Sequence, residues 1–333
     1  MFYLNSNSSK IDRIRNKYWE AIKEFLNSKF PDKIDNNVDF NEGLKNEIKK
    51  FLRDYFFDEE NKEAIKRLKE IITAKPDHLC KLHKKFEIKA KNSFHTPEKK
   101  AALKKAITSV FNYKDFTDKR TKPINAYDLA NWLEVKTCTY CNRNYTSTII
   151  TKNREKIIRP EFDHFFPKSE YPLLALSFYN LIPSCPVCNS RIKGRKEMNL
   201  KFYPHPYRDD ISKEFYFTYY LTNENPFHYK AKVITENYKA RNYADLFKLE
   251  EVYTSHADVI KDLIYLRRAY SIRYLQILKN EILPGIHLTD NELYRLAFGT
   301  EYEESKHLDR PLSKFKKDLL RELGILYFME KDE

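Results

Sequence analysis

The chain has 333 residues, 41% of them hydrophobic and 33% charged, with a formal net charge of +13. That length accommodates one large domain or two to three small ones, and only 5 glycines with no phosphate-cradling loop argue against ATP or GTP binding by this chain. No window approaches the ~20 apolar residues of a membrane span, and the start of the chain has no signal-peptide core, so a soluble cytoplasmic protein without a membrane partner is expected.

The first third reads as helical. Ser9 is the expected cap of a helix over Ile11–Leu26, with Ile14, Tyr18, Ile22 and Phe25 at three-to-four spacing. Asp39 is the expected cap of a second over Leu44–Phe57. Glu59–Thr73 continues the periodicity until Pro76 stops it. Thr96-Pro97 opens a helix over Glu98–Phe111, and Ala126–Leu133 makes a short one. The aromatic residues Tyr55, Phe56, Phe57 and Phe111 are expected in the core. At Thr137 the texture changes. Tyr145–Ile150 and Lys156–Phe162 are β-branched and aromatic around the polar stretch Thr151–Glu155, a hairpin signal. Cys185–Leu200 reads as a knuckle running into a helix. Strands are expected over Glu214–Leu221 and His228–Thr235, then helices over Ala257–Ile282, Asn291–Phe298 and Ser313–Leu323. The expected fold is mainly α with a small α+β core: a helical basic region over 1–136, a zinc-tied module over 137–203, and strands then helices over 204–333.

Charge follows this division. Residues 1–136 carry 30 Lys/Arg against 21 Asp/Glu, residues 137–200 carry 10 against 5, and residues 201–333 carry 21 against 22. A basic first two-thirds suits a polyanion, because each neutralised phosphate releases counterions. A Lys-rich and Asn-rich composition would produce the same excess without such a partner.

Four of the 5 cysteines form two Cys-x-x-Cys pairs, Cys138/Cys141 and Cys185/Cys188. In a reducing compartment such pairs favour metal over disulfides. Four thiolates suit a closed tetrahedral zinc of structural type. The 43 residues between the pairs exceed what a simple ribbon needs, and they contain Asp163 and His164. Aspartate is a hard ligand for Mg²⁺, and neutral histidine can take a proton from water. Adjacent residues point to opposite faces of a flat strand, so a joint role requires the strand to end or bulge here. Alternative occupants are weaker. His78, Cys80 and His83 lack knuckle spacing and read as ordinary packing, and His205 and Glu161 are secondary candidates.

The succession Asp163-His164-x-x-Pro167, Asn180-Leu181, and Cys185-x-x-Cys188-Asn189 with Lys193-Gly194 resembles the HNH nucleases of ββα-metal fold, in the subgroup with an added four-cysteine zinc. The resemblance covers about residues 137–200. It implies His164 as general base, Asp163 and Asn189 as ligands of a catalytic Mg²⁺ or Mn²⁺, Asn180 as the residue orienting the loop that faces the histidine, and products with 5′-phosphate and 3′-hydroxyl ends. Many members carry histidine where this chain has Asn189, and an amide oxygen is a harder ligand than imidazole. Arg191, Lys193 and Arg195, with Lys196, follow as candidate phosphate contacts or as a solvated helix face. More loosely, the chain resembles the HNH component of Septu-type and retron-linked anti-phage systems, which implies a separate ATPase partner. The expected substrate is nucleic acid, DNA ahead of RNA. The competing expectation is a non-catalytic zinc-containing subunit that binds nucleic acid or a partner, and a third is a scaffold whose helices matter most.

Overall fold

The computed structural model describes residues 2–30, 42–223, 225–269 and 288–326, together with positions 34, 277 and 281. Helix α1 spans Ser9–Lys29 and is capped one residue earlier than expected: the Ser8 Oγ accepts from the Ile11 N–H at 3.3 Å. Its spaced apolar residues Ile14, Tyr18, Ile22 and Phe25 are all buried. Helix α2 spans Glu42–Leu52 and widens into Arg53–Phe57, closed by the Asp58 N–H on the Arg53 carbonyl five residues back. The proposed Asp39 cap lies outside the described residues. Helix α3 (Lys62–Thr73) starts later than Glu59 because Asn61 caps it, accepting from the Glu63 and Ala64 N–H groups.

Pro76 does more than end that helix. It occupies the first turn of α4 (Pro76–Ser93), a helix the sequence pattern did not announce. Proline there loses no hydrogen bond, since the first N–H groups of a helix have no internal acceptor. Helices α5 (Pro97–Val110), α6 (Tyr113–Thr117) and α7 (Ala126–Leu133) follow. The Thr96 Oγ1 caps α5, and Asn125 with Asp128 forms a capping box on α7. Phe56 stacks on Phe86 at 5.6 Å and packs edge-on to Phe111 at 6.0 Å, inside the helical layer.

The expected hairpin is much shorter than its apolar stretches suggest. Only β1 (Ile149–Ile150) and β2 (Lys156–Ile158) pair. After Pro160 the chain leaves that hairpin, and β3 (Glu161–His164) pairs antiparallel with β4 (Leu181–Ser184). Strand β4 escaped sequence reading because all four residues are buried, leaving no alternation to detect, and because Pro183 lies within it. A single π-helical turn, Val187–Lys193, follows directly, where the sequence led to a helix after the second knuckle.

Beyond the module, β5 (Tyr216–Thr222) pairs with β6 (Asn225–Ile234). Helices α8 (Tyr238–Leu246) and α9 (Leu249–Thr254) were not expected. Helix α10 is described over Ala257–Ala269, and apart from positions 277 and 281 the remainder of the expected Ala257–Ile282 helix lies outside the described residues. Helices α11 (Asp290–Phe298) and α12 (Ser313–Glu322) are the last among the described residues, and Gly324 lies just past α12 at φ 70°.

The fold is mainly helical with small antiparallel sheets. One cluster of buried side chains runs from Leu4 to Leu326 through all three expected regions. Buried polar contacts join the layers as well. The Tyr18 hydroxyl donates to the Leu176 carbonyl (2.8 Å), and the Ser177 hydroxyl to the Ile71 carbonyl (2.6 Å). Among the described residues no helix is long and apolar enough to cross a membrane.

Buried imidazoles make this core acid-sensitive. Burial lowers His164, His205 and His307 to about 3 from an ordinary value of 6.5. Below pH 6.5 the unfolded chain takes up protons that the folded chain does not, so stability falls as pH falls from 6.5 toward 3. Each histidine contributes a slope of up to about 1.4 kcal/mol per pH unit. Urea denaturation between pH 7 and 4.5 is expected to show the combined slope, and His307→Gln is expected to reduce it by up to about 1.4 kcal/mol per pH unit. An unchanged slope in that variant would contradict the assignment.

Candidate metal centre and adjoining cleft

The two cysteine pairs converge. Cys138, Cys141, Cys185 and Cys188 are buried, and their sulfur atoms lie within 4.8 Å of one another. The first pair is shaped by the turn in which the Asn142 N–H returns to the Cys138 carbonyl (2.8 Å). The second pair sits where β4 ends and the Val187–Lys193 turn begins. Backbone N–H groups are aimed at the sulfurs: Cys185 N to Cys138 Sγ at 3.2 Å, Cys188 N to Cys185 Sγ at 3.5 Å, Arg143 N to Cys141 Sγ at 3.5 Å. Such donors favour thiolate over thiol.

A tetrahedral zinc with bonds of about 2.3 Å places its sulfurs about 3.8 Å apart. The Cys141–Cys185 separation is 4.0 Å. The four cysteines can therefore hold a metal ion such as zinc. Without a cation, four adjacent thiols cannot all ionise. Hydrogen bonds from the other cysteines hold Cys185 far below the usual thiol range, while the same contacts push Cys188 up and burial pushes Cys138 up.

The surrounding helices clamp this centre. The Tyr243 and Tyr253 hydroxyls donate to the carbonyls of Tyr140 and Cys141. Asn142, at φ 49°, donates to the His307 carbonyl (2.7 Å) and the Arg310 carbonyl (3.1 Å) and accepts from Ser313 N (3.0 Å). The Phe2 N–H reaches the Thr139 carbonyl at 3.0 Å.

Strand β3 ends at His164, and both Asp163 and His164 border a cleft of about 1050 Å³. His164 Nε2 lies 2.9 Å from the Ala175 carbonyl. A carbonyl only accepts, so Nε2 carries the proton in the neutral ring and Nδ1 keeps its lone pair. The Tyr113 ring packs edge-on to the imidazole at 4.5 Å. Burial keeps the ring uncharged at neutral pH.

Asp163 is 3% exposed and engaged on both oxygens. The Tyr140 hydroxyl donates to Oδ2 at 2.6 Å, and Lys193 Nζ donates to Oδ1 at 2.9 Å. Lys193 also donates to the His164 carbonyl at 2.8 Å and is itself 2% exposed. Lys193, expected to face phosphate, thus turns inward in this structure, because a buried carboxylate needs a partner charge. Arg191 and Arg195 remain exposed, and Arg195 borders the cleft.

Asn180 is fully buried at the end of the loop linking β3 to β4. Its Oδ1 accepts from Phe166 N (2.8 Å), and its Nδ2 donates to the carbonyls of Phe166 (3.1 Å) and Leu174 (2.9 Å). The Leu174 carbonyl is one residue from the Ala175 carbonyl that holds His164, so Asn180 positions the histidine through the loop. Asn180→Ala strips three buried backbone groups of their partner. We expect a loss of about 3 kcal/mol in urea denaturation; a loss below about 1 kcal/mol would show that the loop does not depend on it.

Asn189 opens toward the same cleft, its Nδ2 donating to Glu161 Oε2 at 2.8 Å, with the Ser190 hydroxyl on the same oxygen at 2.9 Å. The oxygen donors of Asp163, Glu161 and Asn189 are of the kind a hard divalent ion takes. Among the described residues, the cysteines form the single group of three or more His, Cys, Asp or Glu donors whose atoms lie within 4.8 Å. His205 is buried against Phe165 at 4.3 Å, and His83 packs on Tyr171 at 4.9 Å.

Sequence reasoning passed over Tyr140 and Tyr113. Tyr140 stood inside a cysteine knuckle and Tyr113 more than 20 positions before the module, and neither spacing hinted at Asp163 or His164. Compared with protein-family models, curated proteins and solved structures, the chain finds no match.

Proposed function

We propose that the chain is a metal-dependent endonuclease of HNH type, hydrolysing nucleic-acid phosphodiester bonds, with DNA favoured over RNA. The observation that carries this reading is the placement of His164: at the end of a strand, in a cleft, with one ring nitrogen tied to a carbonyl and the other left unprotonated. The antiparallel pair β3–β4 leading into the turn that carries Asn189, beside a four-cysteine centre, supports it.

In this mechanism His164 Nδ1 accepts a proton from water as its oxygen attacks phosphorus, the bond to the 3′ oxygen breaks, that oxygen takes a proton from solvent, and the imidazolium later returns its own to solvent. The Ala175 carbonyl, held by Asn180 through Leu174, steadies the imidazolium that forms. Asp163 and Asn189 would hold the divalent ion, which supplies positive charge at the attacked phosphate and leaving oxygen. A zinc held by Cys138, Cys141, Cys185 and Cys188 would take all four ligands from the protein and no part in the chemistry. Arg191 and Arg195 contact flanking phosphates.

We place this nuclease as the effector of a bacterial anti-phage system acting with a separate ATPase, consistent with a chain that has helical flanks and no phosphate-cradling loop of its own. One observation favours the alternative of a non-catalytic zinc-containing binding subunit: Asp163 is already neutralised by Lys193. Incubating purified protein with plasmid, single-stranded DNA and RNA, in Mg²⁺, Mn²⁺ or EDTA, separates the two. Cutting that needs the divalent ion and His164 supports the nuclease; binding without any cutting supports the alternative.

A further inference from the structure

The Asp163 carboxylate is gripped from two sides by residues with different origins. Tyr140, inside the first cysteine knuckle, holds Oδ2. Its ring is fixed by stacking on Phe247 at 4.3 Å, so this side is rigid. On the other side Lys193 Nζ reaches Oδ1 and the His164 carbonyl from the last position of the Val187–Lys193 turn. That turn is closed by an i→i+5 hydrogen bond from Gly194 N to the Asn189 carbonyl (2.9 Å), and Gly194 takes φ 54°, so the chain reverses immediately after the lysine.

We infer that Lys193 is the resident counter-cation of this site, standing at Asp163 Oδ1 where a divalent ion would bind, so that lysine and metal occupy the carboxylate in alternation. This inference rests on the proposed function only in taking Asp163 as a metal ligand. An ammonium 2.9 Å from Oδ1 and a divalent ion bonded to the same carboxylate would be close like charges in a buried site, where repulsion is poorly screened. A lysine suits exchange better than an arginine would. Its charge is a single point on a flexible four-carbon stem, and no bidentate geometry has to be broken. Its side chain borders the cleft, so it has somewhere to go when the ion arrives. With the lysine in place, a folded and zinc-loaded chain keeps Asp163 neutralised without a second metal.

Calorimetric titration of Mn²⁺ into the full-length, zinc-loaded protein tests this without measuring cleavage. Lys193→Met is expected to bind Mn²⁺ at least tenfold tighter than wild type, and adding Asp163→Asn to that variant is expected to abolish the gain. Equal or weaker binding by Lys193→Met, or no binding by either protein, overturns the proposal. If Lys193→Met does not fold, the wild type supplies the answer. Acylation of Lys193 by an amine-reactive ester, followed by mass spectrometry, is expected to rise at least fivefold when saturating Mn²⁺ is added; unchanged labelling overturns it. A failed cleavage assay would leave these binding results intact, and the reverse also holds.

Discussion

Cys138→Ser is expected to leave no soluble folded protein, and stripping the metal from wild type with a strong chelator at neutral pH is expected to unfold it. A structural four-thiolate zinc contributes on the order of 10 kcal/mol of folding free energy, which is comparable to the whole stability of an ordinary domain. The effect should spread, because segments far apart in the chain bond to the first knuckle. The Thr139 carbonyl receives the Phe2 N–H, and Asn142 carries hydrogen bonds to His307, Arg310 and Ser313. The Tyr243 and Tyr253 hydroxyls on the knuckle carbonyls would lose their acceptors too. Native mass spectrometry should count one zinc per chain, and circular dichroism should lose helix as the chelator takes it. A soluble Cys138→Ser protein with a wild-type melting curve would rule out the four-cysteine centre as a folding element.

If the chain is the proposed nuclease, His164→Ala is expected to lower kcat by about 10³-fold, the middle of the range for removing a general base, while the chain stays folded. The imidazole makes a single hydrogen bond to the Ala175 carbonyl and one edge-on ring contact. Its removal therefore costs a few kcal/mol of burial and one partner, less than the loss of a zinc ligand. Burial holds the ring pKa down at about 3. On the proposed nuclease reading the ring thus stays unprotonated throughout the neutral range, and the acid limb of kcat/KM should lie well below pH 6.5 rather than near it. Cutting that persists in His164→Ala, with zinc content and melting curve unchanged, would remove His164 from the mechanism.

Much of the helical layer was legible in the sequence because it is written in local signals. Thr96 before Pro97 and the spaced apolar residues of Ser9–Lys29 act within one or two turns. Where local signals had two meanings the pattern misled. Pro76 ends one helix and starts the next, and only its place in the chain's packing distinguishes these. The apolar stretch Lys156–Phe162 looked like one hairpin strand, yet Pro160 divides it between two sheets. Strand β4 was invisible for the opposite reason: a strand buried on both faces has no periodicity.

The candidate site divides in the same way. Residue types and spacings alone picked out four thiols suited to one metal, an Asp-His pair between them, and the asparagines on either side of the second knuckle, because ligand chemistry and short-range spacing are properties of the chain itself. Which groups face which was decided by tertiary structure. The sequence placed Lys193 among the phosphate contacts, but burial of Asp163 draws it inward as a counter-charge. Nothing in Cys-x-x-Cys spacing says that Tyr140, between two cysteines, will reach 23 positions along the chain to Asp163. Such contacts depend on how far each group is removed from water, and burial is a property of the folded whole.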